Sequence, residues 1–224
     1  MATNEAAALT RTDLTARLHG IYLIVNEGER NAVAIARDAL RAGVRIIQYR
    51  AKRGIVAENL RALRDVTRDA EALLIVNDDW RAAIDYDCDG VHLGPDDDGF
   101  VDIAPVRAAI GERLIGLSCG TVAEAEAAQR MGADYMGVGS VYATSSKGDA
   151  GDPIGIAGLR RVAAAATLPV AAIGGIDAVR LAAVRETGVA MAAVISAIVQ
   201  ADVPFEAACE LVERWAGGVH GTTG

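Results

Sequence analysis

Apolar residues in this chain gather in eight short runs, separated by longer stretches in which they recur every three or four positions. The runs are "GIYLIV" (20–25), "RIIQYR" (45–50), "ALLIVN" (72–77), "GVHLG" (90–94), "LIGLSC" (114–119), "YMGVGS" (135–140), "PVAAIG" (169–174) and "MAAVIS" (191–196). Several are apolar on both faces, the pattern of a parallel strand covered on both sides. Between most of them lie helix-forming stretches such as "RNAVAIARDALRAG", "VAENLRALRDVTRDA", "TVAEAEAAQRMGA" and "DAVRLAAVRETG". Thr121 and Asp177 stand where N-caps belong, and Gly43, Gly132 and Gly188 where a helix ends in a left-handed residue. Strand followed by helix, eight times with no linker, predicts an α/β chain folded as a single (β/α)8 TIM barrel. A doubly wound open sheet is the competing arrangement, because alternation does not by itself prove closure. One domain is expected over 1–224, with the barrel from about 18 to 216. The first dozen or so residues and the terminal "GGVHGTTG" are expected to be loose.

Composition narrows this further. A chain of 224 residues, 52% hydrophobic and 4% aromatic, can build a large core made mostly of Ala, Val, Ile and Leu. Its 24 glycines against five prolines point to tight turns and close backbone approaches. A formal charge of -8 excludes a broad nucleic-acid surface, which needs a basic face. An anionic small molecule is still compatible with it if a few cations are concentrated at one place. Cys88, Cys119 and Cys209 are odd in number without paired or zinc-like spacing, so they read as free thiols of a reducing cytoplasm. The N-terminal segment carries Glu5, Arg11 and Asp13 and lacks an apolar core, so no secretory signal is expected. The longest uncharged stretches fall short of a membrane span and contain Gly or Pro, so no membrane association is expected. A homo-oligomer is compatible with all of this.

In barrels of this kind chemistry sits where strands end and loops begin. Polar residues crowd those ends here. Gln48, Arg50 and Lys52 alternate out of the second run; period two would aim all three the same way. The third run ends in Asn77, with Asp78 and Asp79 next, the fourth leads to Asp96, Asp97 and Asp98, and Ser118 lies at the end of the fifth. The sixth leads into "ATSSKGDAG", the seventh ends at Gly174–Gly175, and the eighth at Ile195–Ser196.

Each group has two readings. Arg50 and Lys52 either pair with Asp78 or Asp79 in a structural salt bridge, or clamp a pyrophosphate, Arg as a planar fork and Lys as a point charge. Two carboxylates at neighbouring strand ends suit Mg²⁺, which takes one or two of them with phosphate oxygens; the alternative is turn and capping residues, expected for Asp98. Lys147 beside three hydroxyls suits phosphate oxygens, although such loops are commonly solvated. Gly174–Gly175 and Ile195–Ser196 occupy the place where barrels hold a phosphate monoester. His92 lies among apolar residues and is expected to be structural; Trp80 and Trp215 read as packing residues. The sum is two anion sites at one barrel mouth, one for a Mg²⁺-assisted diphosphate and one for a monophosphate.

The runs "QYRAK", "NDDWRAAIDYDCDGVHLGPDD", "GLSCG", "ADYMGVGSVYATSSK", "PVAAIGGI" and "VISAI", in this order and spacing, resemble thiamine phosphate synthase over about Gly20 to Gln200. The resemblance implies a transferase that joins a hydroxymethylpyrimidine diphosphate to a (carboxy)thiazole phosphate, giving thiamine phosphate and diphosphate. It implies that Gln48, Arg50, Lys52, Asn77, Ser118 and Lys147 hold the pyrimidine diphosphate, with Arg50, Lys52 and Lys147 carrying the catalysis. Asp78 and Asp97 would bind Mg²⁺; Thr144, Ser146 and the backbone at Gly175, Ile195 and Ser196 would contact the thiazole phosphate. Tyr49 and Ala51 stand where the usual motif has Leu and Glu, Pro95 where it has Gln, Gly120 where relatives often carry His, and Ser140 where Pro is common. Two alternatives share the pattern: a thiazole tautomerase-like isomerase, whose proton transfer implies a His at position 120, and a non-catalytic barrel that binds thiamine phosphate or its precursors.

Overall fold

The computed structural model describes residues 9–28, 31–144 and 152–217. Eight parallel strands, β1 (Gly20–Asn26), β2 (Ile46–Arg50), β3 (Leu73–Asn77), β4 (Gly90–Leu93), β5 (Leu114–Cys119), β6 (Tyr135–Val138), β7 (Val170–Ile173) and β8 (Met191–Val194), follow one another around a closed barrel. Closure rests on the β1–β8 ladder, which pairs Gly20 with Met191 through Leu23 with Val194. The open-sheet alternative is thereby excluded. Seven of the eight apolar runs contain their strand and β1 extends one residue past its run, to Asn26; the boundaries shift by at most two residues.

Helices α2 (Ala32–Arg41), α3 (Ala57–Asp69), α4 (Trp80–Asp85), α5 (Ala104–Ile110), α6 (Val122–Met131), α7 (Gly155–Ala165), α8 (Leu181–Arg185) and α10 (Pro204–Trp215) form the outer ring. A four-residue helix, α9 (Ser196–Val199), comes between β8 and α10. Thr121 does cap α6, in a reciprocal box with Glu124. Gly43, Gly132 and Gly188 take φ of +104°, +89° and +85°, as helix-ending glycines should. Asp177 caps a turn instead of α8 itself, accepting the Arg180 N–H at 2.9 Å, so that helix starts later than its sequence implies. No helix among the described residues is long and apolar enough to cross a membrane.

Period two divides the strand residues between two cores. Outward-facing Leu23, Ile47, Tyr49, Leu74, Val76, Val91 and Leu117 pack against the helices. Inward-facing Tyr22, Ile24, Ile46, Leu73, Ile75, Leu114, Tyr135 and Met191 fill the barrel's lower half. One expectation is corrected. The chain from Arg11 is not loose: α1 (Arg11–Ala16), capped by Thr10 and Asp13, drives Leu14 and Leu18 into the N-terminal end of the barrel. The plug closes the bottom, so the other end is the open one.

Candidate active site

β2 delivers the first polar side chains to the open end. With Ile46 inside and Ile47 outside, the pleat turns Gln48 and Arg50 inward. Gln48 is 3% exposed, and its Nε2 donates to the Tyr22 hydroxyl at 2.7 Å. Arg50 is paired in register with Asn26, whose Oδ1 accepts from Nη1 at 3.0 Å. That contact, and not Asp78 or Asp79, is the side-chain hydrogen bond it makes. The shared-face expectation stops there. β2 ends at Arg50, and Lys52 sits on an exposed turn closed by the Gly54 N–H to the Ala51 carbonyl at 3.1 Å. The charge of Lys52 nevertheless acts on the same group as that of Arg50.

That group is Asp78, the first residue beyond β3, held at φ +70° with its N–H on the His92 carbonyl at 2.9 Å. Its carboxyl meets that of Asp97. Asp97 is fixed by a turn in which its Oδ2 accepts the Gly94 N–H at 2.5 Å and its own N–H bonds the Gly94 carbonyl at 3.0 Å. Burial first, then the hydrogen bond and charge of Asp97, push the Asp78 carboxyl up to about 6, with Arg50 and Lys52 partly offsetting them. The neighbours do other work. Asp79 caps α4 through the Ala82 N–H, Asp96 is exposed, and Asp98 pairs with Arg81 at 2.8 Å on the surface, as expected. Among the described residues no group of three or more acidic, His or Cys side chains could enclose a metal. A two-carboxylate site that leaves its remaining positions to water and phosphate oxygens is the set Mg²⁺ takes.

A cavity of about 340 Å³ opens above the plug. Gln48, Arg50, Asn77, Ser118, Thr144, Gly175, Ile195 and Ser196, eight of the residues singled out in the sequence, line it together. Ser146 and Lys147 lie outside the described residues. A chain of hydrogen bonds crosses the floor: Gln48 to Tyr22, Tyr22 to the Tyr135 hydroxyl at 3.0 Å, Tyr135 to His92 Nδ1 at 3.2 Å, and His92 Nε2 to Ser118 Oγ at 3.1 Å. Burial pushes both tyrosine hydroxyls well above their ordinary range, so they stay neutral. His92 is thus a cavity residue as well as a packing one, and Tyr22 and Tyr135 escaped the sequence reading. Gly116 and Gly137 mark the spot: a Cβ on either would lie 2.6 Å from His92 Nδ1 or 2.8 Å from Cε1. A glycine inside a strand is the signal for such an approach.

The far wall belongs to β6–β8. Gly174 (φ +106°) and Gly175 (φ +61°) lie against the chain that follows β6; a Cβ on Gly174 would sit 2.1 Å from Ser140 Oγ, and one on Gly175 2.7 Å from the Ala143 carbonyl. These glycines therefore have a packing reason independent of any phosphate. Gly120 presents only backbone to the cavity, its N–H held by Glu124 at 2.6 Å.

A family model described as thiamine monophosphate synthase matches residues 21–198. The chain is 47% identical over 199 residues to a thiamine-phosphate synthase of Archaeoglobus fulgidus, covering 86% of this chain and 91% of that one. It is 42% identical over 188 residues to one of Moorella thermoacetica, covering 81% and 88%. Its fold matches the solved thiamine phosphate pyrophosphorylase of Pyrococcus furiosus with a TM-score of 0.82 at 34% identity, covering 90% of this chain and 97% of that one.

Proposed function

The chain belongs to the thiamine monophosphate synthase family, and on that premise we propose how its barrel mouth joins two phosphorylated substrates. The reaction condenses a hydroxymethylpyrimidine diphosphate with a thiazole phosphate and releases diphosphate. The observation that carries the reading is the convergence of Arg50 and Lys52 on the Asp78–Asp97 pair beside one cavity. A half-buried carboxyl pair with two cations beside it is costly to maintain unless a ligand needs both signs of charge.

Gln48, Asn77 and Ser118 orient the pyrimidine, while Arg50, Lys52 and Lys147 neutralise the diphosphate as its bond to the pyrimidine methylene breaks. Asp78 and Asp97 fit a Mg²⁺ ion, which when bound supplies positive charge to the departing oxygens. Thr144, Ser146, Gly175, Ile195 and Ser196 hold the thiazole phosphate so that the ring nitrogen attacks the methylene carbon. No strong protein base is required; preorganised charge is. Burial of the floor network keeps water from the electrophilic carbon. Gly120 places no side chain in the cavity, which disfavours the tautomerase reading. The three thiols, none in a disulfide, support a reducing, cytoplasmic setting, with small molecules as the partners.

The test is an assay of thiamine phosphate with each component omitted in turn. Product and diphosphate in equal amounts, only when both substrates and Mg²⁺ are present, is the expected result. Tight binding of the substrates without turnover would overturn it in favour of a binding barrel.

A further inference from the structure

We infer that Tyr49, with Glu27 and Asn59, forms a latch that fixes the β2–α3 turn and thereby sets the position of Lys52. Tyr49 is then a positioning residue for the diphosphate site and not a member of it. The inference rests on the reading of Lys52 as a diphosphate ligand.

Tyr49 points away from the cavity into the layer between strands and helices, where it is 0% exposed. A hydroxyl buried there must find partners. It donates to the Glu27 carboxylate, just beyond β1, and accepts the Val56 N–H at 3.2 Å. Val56 precedes α3, which has no side-chain cap, so the tyrosine satisfies one of the donors left over at a helix start. Asn59, in the first turn of α3, donates to both Glu27 oxygens at 3.0 Å. The Glu27 N–H in turn bonds the Arg50 carbonyl at 2.8 Å.

One carboxylate therefore ties the end of β1 to the end of β2 and the start of α3. Residues 51–56, with Lys52 among them, run between those ties. Partial burial pushes the Glu27 carboxyl up, but hydrogen bonds from Tyr49 and Asn59 outweigh it and hold the group below its usual range. Burial, together with that neighbouring carboxylate, pushes the Tyr49 hydroxyl above its ordinary value. Donor and acceptor thus keep their roles at any working pH. A leucine, as in the motif this segment resembles, would fill the same layer with no hydroxyl to place. The tyrosine adds directional contacts, and these all converge on the turn that carries the cation. A turn ordered before the ligand arrives spares the ordering cost on binding.

A double-mutant cycle tests this on the full chain with Mg²⁺. Tyr49→Phe keeps the ring and removes the hydroxyl. It is expected to lower kcat/KM for the pyrimidine diphosphate about tenfold, since small displacements of a charged contact are expensive. KM for the thiazole phosphate should stay within about twofold, because that subsite lies across the barrel. In a Lys52→Ala background the same change should cost less than about twofold, there being no ammonium left to misplace. Asn59→Ala attacks the latch from the helix side and should repeat the pattern; it serves if Tyr49→Phe folds poorly by its melting curve. Equal losses in both backgrounds, or parallel changes in both KM values, would overturn the latch and leave Tyr49 a stabilising residue only. Wild-type turnover in Lys52→Ala alone would overturn the diphosphate reading instead, and the latch with it.

Discussion

Asp78 and Asp97 hydrogen-bond to each other through their carboxyl groups although one follows β3 and the other lies in the loop after β4. Two carboxylates that close cannot both ionise cheaply, so Asp78 holds its proton up to about pH 6, well above an isolated carboxyl.

That relation predicts opposite effects of pH with and without the metal. The Asp78 carboxyl titrates at about 6 in the fold, above the roughly 3.9 of an unfolded chain. Its contribution to stability is therefore complete below about pH 4 and is lost as pH rises through about 6. Metal-free protein should lose more stability between about pH 5 and 8 than an Asp78→Asn variant does, a difference of a few degrees at about 2–4 °C per kcal/mol. Asparagine tolerates the φ of +70° at this position. Mg²⁺ should raise the melting temperature of the wild type at pH 8 far more than at pH 5, and that of the variant hardly at all. A variant that responds to Mg²⁺ like the wild type would remove Asp78 from the metal site.

The two cations should separate stability from turnover. Arg50 satisfies the Asn26 Oδ1, which is 9% exposed as a residue, so Arg50→Ala leaves a buried acceptor unpaired and should cost about 1–3 kcal/mol of stability. Lys52 occupies an exposed turn, and its loss should change stability by no more than about 0.5 kcal/mol. Both variants should lose turnover by about 10²–10³, the range for one removed charge-stabilising donor. Urea melts and single-turnover rates on the same preparations check both halves. A Lys52 variant that loses stability and keeps its rate would invert the assignment.

Thiol chemistry should follow burial. Burial pushes the Cys88 and Cys119 thiols up to about 12, so neither offers thiolate at neutral pH. Cys209, partly exposed on α10, should react first with an alkylating reagent, and the other two only as the barrel opens. Peptide mapping after a short pulse of reagent at about pH 8, compared with the same pulse in denaturant, reads the order directly. Early labelling of Cys119 would mean that the cavity wall opens locally, because this residue lines it.

The barrel was legible because its strands are short, doubly buried and punctuated by glycine, so period and length agree with each other. Gln48, Arg50, Asp78 and Ser118 were legible because a polar residue ending an apolar strand has few structural reasons to be there. Lys52 fell on a turn because alternation says nothing past the last ladder bond. Tyr22 and Tyr135 were hidden, and His92 was expected to be structural, for the opposite reason: a residue that faces the barrel interior has the same apolar sequence neighbours as one that faces the helices. The helix at Arg11–Ala16 was hidden by its length, six residues with a single buried side chain, Leu14.

Gly174 carries the remaining ambiguity between packing and phosphate binding, and a substitution resolves it. At φ +106°, and with a new Cβ 2.1 Å from Ser140 Oγ and 2.8 Å from Ser140 Cα, Gly174→Ala meets both backbone strain and a backbone neighbour that cannot rotate away. Gly132→Ala supplies the control, since it is left-handed at φ +89° and ψ +32° with nothing within 4 Å. The control should cost only the left-handed penalty of about 1–2 kcal/mol, and Gly174→Ala should exceed it clearly in urea melts. If the glycine serves packing alone, a substrate-saturated Gly174→Ala enzyme below its melting temperature should keep its KM for the thiazole phosphate. If backbone approach to the phosphate also matters, that KM should rise about tenfold while KM for the pyrimidine diphosphate holds. Equal stability losses at Gly132 and Gly174 would mean that the chain after β6 yields easily, and the close contact with Ser140 would then have no role in holding the cavity wall.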